Sequence, residues 1–178
     1  ARQSAMKAIS PVADEAMTAL TDFTINGGKR IRPTFAWLGW MGSLQLTFPE
    51  AADHPDADAV MHAVSSLELL QSCALIHDDI IDSSATRRGM PTVHEHFKQS
   101  HSAQAWHGRG ENYGNAVAIL IGDLALTWAD AMFMEAALPP AQRDRAWQPW
   151  QDMRTEVVCG QIMDVTAEAQ RDGSLRTA

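Results

Sequence analysis

The sequence predicts an all-α protein, and three observations carry that prediction. Apolar residues recur at helical spacing through most of the 178 residues. Strong stop signals, Asn26-Gly27-Gly28 and Pro139-Pro140 among them, cut the chain into helix-sized lengths. No run alternates β-branched with polar residues. The length suits one domain over residues 1–178, with enough chain to bury a proper core.

Residues from about Ser4 to Phe23 read as a first amphipathic helix, with Met6, Ile9, Ala13, Met17 and Leu20 near one face, closed by Asn26-Gly27-Gly28. Pro33 fits the first turn of a second helix that runs to about Leu46 and is rich in Trp and Phe. Thr47 to Asp56, with two prolines and several acids, reads as a loop, and the long third helix follows from about Asp58 to Asp82. Pro91 opens a short helix through Val93 and Phe97, after which the polar, Gly-rich His101 to Gly114 reads as a connector. From Asn115 to Leu138 the chain is apolar nearly all round, which marks a helix central in the fold or at a subunit interface. A last helix spans about Gln142 to Glu168, where Pro149 predicts a kink or break near its start.

The bulk properties narrow the partners. A formal net charge of −8 argues against a nucleic-acid surface, and an acidic protein that handles an anion needs bound metal or focused Lys and Arg clusters. Cys73 and Cys159 are the only cysteines and form no C-x-x-C pattern, so a reducing compartment and a cytoplasmic location are expected. No stretch reads as a transmembrane span, and the N-terminus lacks the apolar core of a signal peptide.

The most informative stretch is Leu75-Ile76-His77-Asp78-Asp79-Ile80-Ile81-Asp82, followed by Arg87-Arg88-Gly89. Residues four apart share a helix face, so Asp78 and Asp82 lie side by side while Asp79 turns about a quarter-circle away. Carboxylates at the negative end of a helix repel one another and the macrodipole until a cation neutralises them. Magnesium, which takes one or two carboxylates and completes its shell with water and substrate phosphate, suits such a pair. Read alone, the stretch is equally consistent with a solvated acidic helix end. Gly27-Gly28-Lys29-Arg30-Ile31-Arg32-Pro33 is the second such stretch: three cations within four positions beside a helix N-terminus make a plausible anion pocket, or an ordinary basic helix start. Arg87 and Arg88 add a second candidate phosphate contact, because arginine binds phosphate bidentately.

With these stretches, Pro91-Thr92-Val93-His94, Gly122-Asp123-Leu124 and Gly160-Gln161-Ile162-Met163-Asp164 in hand, the sequence resembles the trans-isoprenyl diphosphate synthases, most closely the bacterial geranylgeranyl and polyprenyl types. The resemblance implies a helical bundle around a deep central pocket, a homodimer, and Mg2+-assisted condensation of isopentenyl diphosphate with an allylic diphosphate. It implies that Asp78 and Asp82 hold the metal with Asp79 in support, that Arg87 contacts the allylic diphosphate and Arg88 isopentenyl diphosphate, and that Lys29 and Arg32, with Arg30 beside them, clamp the latter. Gln71 falls where many members place a His on that diphosphate, and an amide donates the same bond without charge. Gln161 and Asp164 match a motif lining the pocket. Cys73 and Ala74, with Leu70 a turn below, occupy the positions that limit chain length, and small residues there imply geranylgeranyl diphosphate or a longer product.

The resemblance also implies a second Asp-rich motif and a Lys-Thr pair beyond Asp164, and neither precedes Ala178, so the chain is expected to be the N-terminal part of a longer protein and inactive alone. A non-catalytic subunit of a heteromeric prenyl synthase is one alternative, although such subunits typically lose the aspartates. A metal phosphohydrolase built on His77-Asp78 is another, but His62 and His94 lie in no supporting motif. A terpene cyclase would leave the Gly27–Pro33 clamp without purpose, and His94-Glu95-His96 lacks the one-turn spacing of zinc ligands.

Overall fold

The computed structural model describes residues 11–44 and 54–170. Among them the chain is helical apart from one short hairpin: α1 (Pro11–Ile25), α2 (Ile31–Leu44), α3 (Ala57–Ile81), β1 (Thr86–Arg87), β2 (Met90–Pro91), α4 (Val93–Ala103), α5 (Gly110–Glu135) and α6 (Pro140–Gln170). The expected helix start at Ser4, the residue Leu46 and the loop from Thr47 to Asp53 lie outside the described residues. The helices form two compact units, Ala1–Ala137 and Leu138–Ala178.

In the first unit the core forms where four helices meet. Leu20 from α1, Cys73 and Ile76 from α3, Val93 and Phe97 from α4, and Ala118, Ile121 and Ala125 from α5 make one buried cluster. Ala118, Ala125 and Ala129 give α5 a flat, small-residue seam, and burial of each large partner such as Phe97 or Ile76 contributes about 1.5–3 kcal/mol. By length and apolar composition α3 and α5 would both qualify to cross a membrane, contrary to the expectation from sequence. Both contribute residues to this shared cluster, a third of each apolar window is buried, and both carry ionisable residues along their length.

Two sequence expectations are corrected at α4 and α5. Helix α4 continues to Ala103, and α5 begins at Gly110 rather than Asn115, so the connector shrinks to residues 104–109. Glycine there does not break the helix but lets two helices touch: a Cβ on Gly114 would run into the carbonyl of His94 and lie 3.0 Å from the amide of Lys98. The third correction is the hairpin, where β1 pairs antiparallel with β2 in the register Thr86↔Pro91 and Arg87↔Met90. Arg88 and Gly89 form its two-residue tip with φ of 55° and 80°, the signature of a type I′ turn. Thr92, buried at the hairpin's foot, donates its hydroxyl to the Ser84 carbonyl at 2.8 Å and its amide to Ala85 at 3.2 Å. In the second unit α6 runs unbroken through Pro149, and its opening residue, Pro140, needs no intrahelical donor.

Candidate active site

Helix α3 delivers its three aspartates at its C-terminal end, with Asp82 as the C-cap, its amide bonded to the Asp78 carbonyl at 2.8 Å. No basic residue lies in the last turn, so the cation that answers these charges comes from elsewhere. It is Arg87, carried back by the hairpin. Its Nε donates to Oδ1 and Oδ2 of Asp79 at 2.8 and 3.0 Å, and its Nη2 reaches Asp79 Oδ1 at 2.8 Å and Asp78 Oδ2 at 3.3 Å. Asp79 is 1% exposed. Burial lifts its carboxyl above the ordinary carboxylate range, and the Arg87 bond draws it partly back.

This geometry divides the three acids. Asp79, expected in support of the metal-holding pair, is spent on Arg87 and fixes the hairpin to α3. Asp78, 33% exposed, and Asp82, exposed on the same helix face, remain as the oxygen donors. Among the described residues no three His, Cys, Asp or Glu side chains converge as a ready metal site. A pair of hard oxygen donors that leaves most of the coordination shell to water and phosphate does fit magnesium.

The hairpin tip then reaches the basic stretch. The Arg88 side chain lies across Gly27, where a Cβ would collide with its guanidinium, and against Gly28. The two glycines thus admit Arg88 rather than a ligand directly, at the start of the basic stretch in which Lys29 and Arg32 are exposed. Arg30 departs from its expected substrate-binding role. Its guanidinium is bound to the Glu68 carboxylate on α3 and donates to the carbonyls of Thr24 at 2.8 Å and Ile25 at 2.6 Å.

Further along α3, Gln71, Leu70 and Ala74 are half-buried. Cys73, assigned by resemblance to the floor of a substrate pocket, is 8% exposed within the core cluster, with Sγ 3.8 Å from His77 Nδ1. His77 Nε2 lies 3.1 Å from the Ile119 carbonyl, an acceptor only, so this nitrogen carries the proton. A Cβ on Gly122 would overlap the same ring. The Gly122-Asp123 motif therefore seats His77, with Asp123 Oδ1 3.8 Å from Nε2. His77 is a packing residue of the α3–α5 contact, while His94 is buried and His62 exposed. Gln161, half-buried, and Asp164, exposed, lie on α6 in the second unit.

A groove of about 810 Å³ also opens in the first unit, walled by Asp14, Glu15 and Asp22 of α1 on one side and by Arg87, Arg88 and Met90 of the hairpin on the other. Sequence reasoning did not anticipate it, because its walls come from α1, the hairpin and the start of α4, which are far apart in the chain.

The model of the polyprenyl synthetase family matches residues 14–177. Geranylfarnesyl diphosphate synthase of Natronomonas pharaonis is 33% identical over 153 residues, which are 82% of this chain and 40% of that protein. Nonaprenyl diphosphate synthase of Mycobacterium tuberculosis is 32% identical over 164 residues, 92% of this chain and 40% of that protein. The chain thus spans about 40% of the length of these curated relatives. Among solved structures, geranylgeranyl pyrophosphate synthase from Corynebacterium glutamicum, in complex with isoprenyl diphosphate and magnesium, superposes with a TM-score of 0.89 at 40% identity, over 97% of this chain and 47% of that one.

Proposed function

The chain belongs to the polyprenyl synthetase family, and from that premise we propose that it carries the diphosphate-handling part of a prenyltransferase that joins isopentenyl diphosphate to an allylic diphosphate. The observation that supports this reading above the others is the meeting of two charged stretches through one hairpin: Arg87 on the aspartates, and Arg88 across Gly27 and Gly28, where the stretch that carries Lys29 and Arg32 begins. A site for one anion needs one basic cluster. Two, flanking a carboxylate pair, suit two diphosphates and a metal.

In the reaction the allylic C–O bond breaks and diphosphate leaves with the electron pair. The isopentenyl double bond attacks the allylic cation, a C–C bond forms, and a proton is lost to the released diphosphate. Asp78 and Asp82 would hold Mg2+, which when bound supplies a Lewis acid for the leaving group. Arg87 stands beside Asp78 as a fixed charge that needs no reorganisation, Lys29, Arg32 and Arg88 orient the second diphosphate, and Gln71 adds an uncharged donor. No protein nucleophile takes part. A geranylgeranyl or longer product, a homodimer and a cytoplasmic location belong to the same proposal, and the relatives named as geranylgeranyl, geranylfarnesyl and nonaprenyl diphosphate synthases support the product range.

Asp78→Ala and Asp82→Ala test the reading. In the full-length protein either is expected to lower kcat by orders of magnitude in a prenyl-transfer assay, and turnover near the full-length parent's at saturating magnesium would refute the metal assignment.

A further inference from the structure

We propose that Glu68 is a positioning residue for the basic clamp: through Arg30 it sets the backbone from which Lys29 and Arg32 reach a diphosphate, without touching that diphosphate. The inference rests on the clamp reading above. Arg30 has φ of +51°, a left-handed conformation unfavourable for an L-residue other than glycine. Its side-chain partners explain why it stays there.

Thr24 and Ile25 end α1, whose last turn has orphan carbonyls and no basic residue of its own. Arg30 caps both carbonyls from beyond the turn and carries the remaining charge to Glu68, which sits on α3 with its side chain 19% exposed. One turn further along α3, buried Ser72 meets the Thr24 hydroxyl at 2.9 Å, a second bond between the same two helices. The Arg30 carbonyl, in turn, accepts the amide and hydroxyl of Thr34 at 3.0 and 2.7 Å and so starts α2. The end of α1, the left-handed turn and the first turn of α2 are therefore all registered on Glu68.

Lys29 and Arg32 flank this knot and are exposed, so their placement is inherited from Arg30. Asp78 lies ten residues beyond Glu68 on the same helix, about 15 Å at the α-helical rise. Helix α3 thus acts as a ruler that holds the clamp and the acidic pair at a fixed separation. Loss of that registration displaces one substrate's site and leaves the other in place.

Glu68→Gln keeps the shape of the side chain and removes the charge that holds Arg30. In steady-state assays of the full-length protein it is expected to raise the KM for isopentenyl diphosphate about tenfold, as small misplacements of positioning groups do, with kcat and the allylic KM within about twofold. Arg30→Gly, which suits φ of +51° and so removes the link without backbone strain, is expected to reproduce that split. An unchanged KM for isopentenyl diphosphate in both variants, or equal rises in both KM values together with a fall in melting temperature, overturns the proposal. Arg32→Ala separates the two readings: if it raises that KM while the Glu68 and Arg30 variants do not, the clamp stands and the positioning role falls. If Arg32→Ala also leaves it unchanged, the clamp assignment falls and takes the positioning role with it.

Discussion

Arg87→Ala strands a carboxylate that is 1% exposed, and the cost can be worked from the geometry. Removing one partner of a buried ion pair destabilises by about 3–5 kcal/mol. The Arg87 side chain is 26% exposed, which favours the lower figure, about 3 kcal/mol, or a fall in melting temperature on the order of 10 °C. The pH dependence gives that loss a signature. Burial already raises the Asp79 pKa and Arg87 opposes the rise, so without Arg87 the folded-state value climbs further above the unfolded one. Between those two values the native state binds the extra proton, hence the stability attributable to Asp79 is fullest in acid and declines as pH rises through the folded pKa. The difference between parent and variant should therefore narrow when urea unfolding is measured at about pH 5 instead of about pH 7.5. The double variant Arg87→Ala/Asp79→Asn, with no buried charge left, should recover most of the loss. A loss below about 1 kcal/mol, or one that does not change with pH, would refute the view that this pair anchors the hairpin.

Gly122→Ala is expected to displace the His77 ring and cost about 1–3 kcal/mol in thermal melting, whereas Gly39→Ala, which meets open space on α2, should stabilise by up to about 1 kcal/mol; equal effects would remove the close-packing account. Ala74→Phe should shift the product distribution toward shorter chains by chromatography, and a distribution identical to the parent's would place the pocket floor elsewhere.

The helices were legible because each long one repeats its apolar face many times, and repetition outweighs any single misleading residue. Their ends were less so. Gly110 and Gly114 read as a connector because a glycine looks the same in sequence whether it breaks a helix or admits a neighbour, and at Gly114 only the carbonyl of His94 distinguishes the two. The hairpin was invisible, since two-residue strands have no periodicity, although Arg88-Gly89 between short β-compatible residues carries a faint turn signal. In the site, helix spacing alone separated Asp79 from Asp78 and Asp82. That Arg87 would turn back onto Asp79 was not legible, because it depends on the fold of the hairpin and not on spacing. Likewise Lys29, Arg30 and Arg32 are alike in composition, and only the left-handed backbone and Glu68 set Arg30 apart.

Burial, reinforced by the charge of Asp123, pushes the Cys73 thiol up to about 11. Because the thiolate is the reactive form, Cys73 stays in its unreactive thiol form at neutral pH, shielded by the core. Cys159 lies exposed on α6, two residues from Gln161. A thiol-directed fluorophore or spin label added to the native chain therefore meets one accessible sulfur, so α6 can be observed spectroscopically without first replacing any residue.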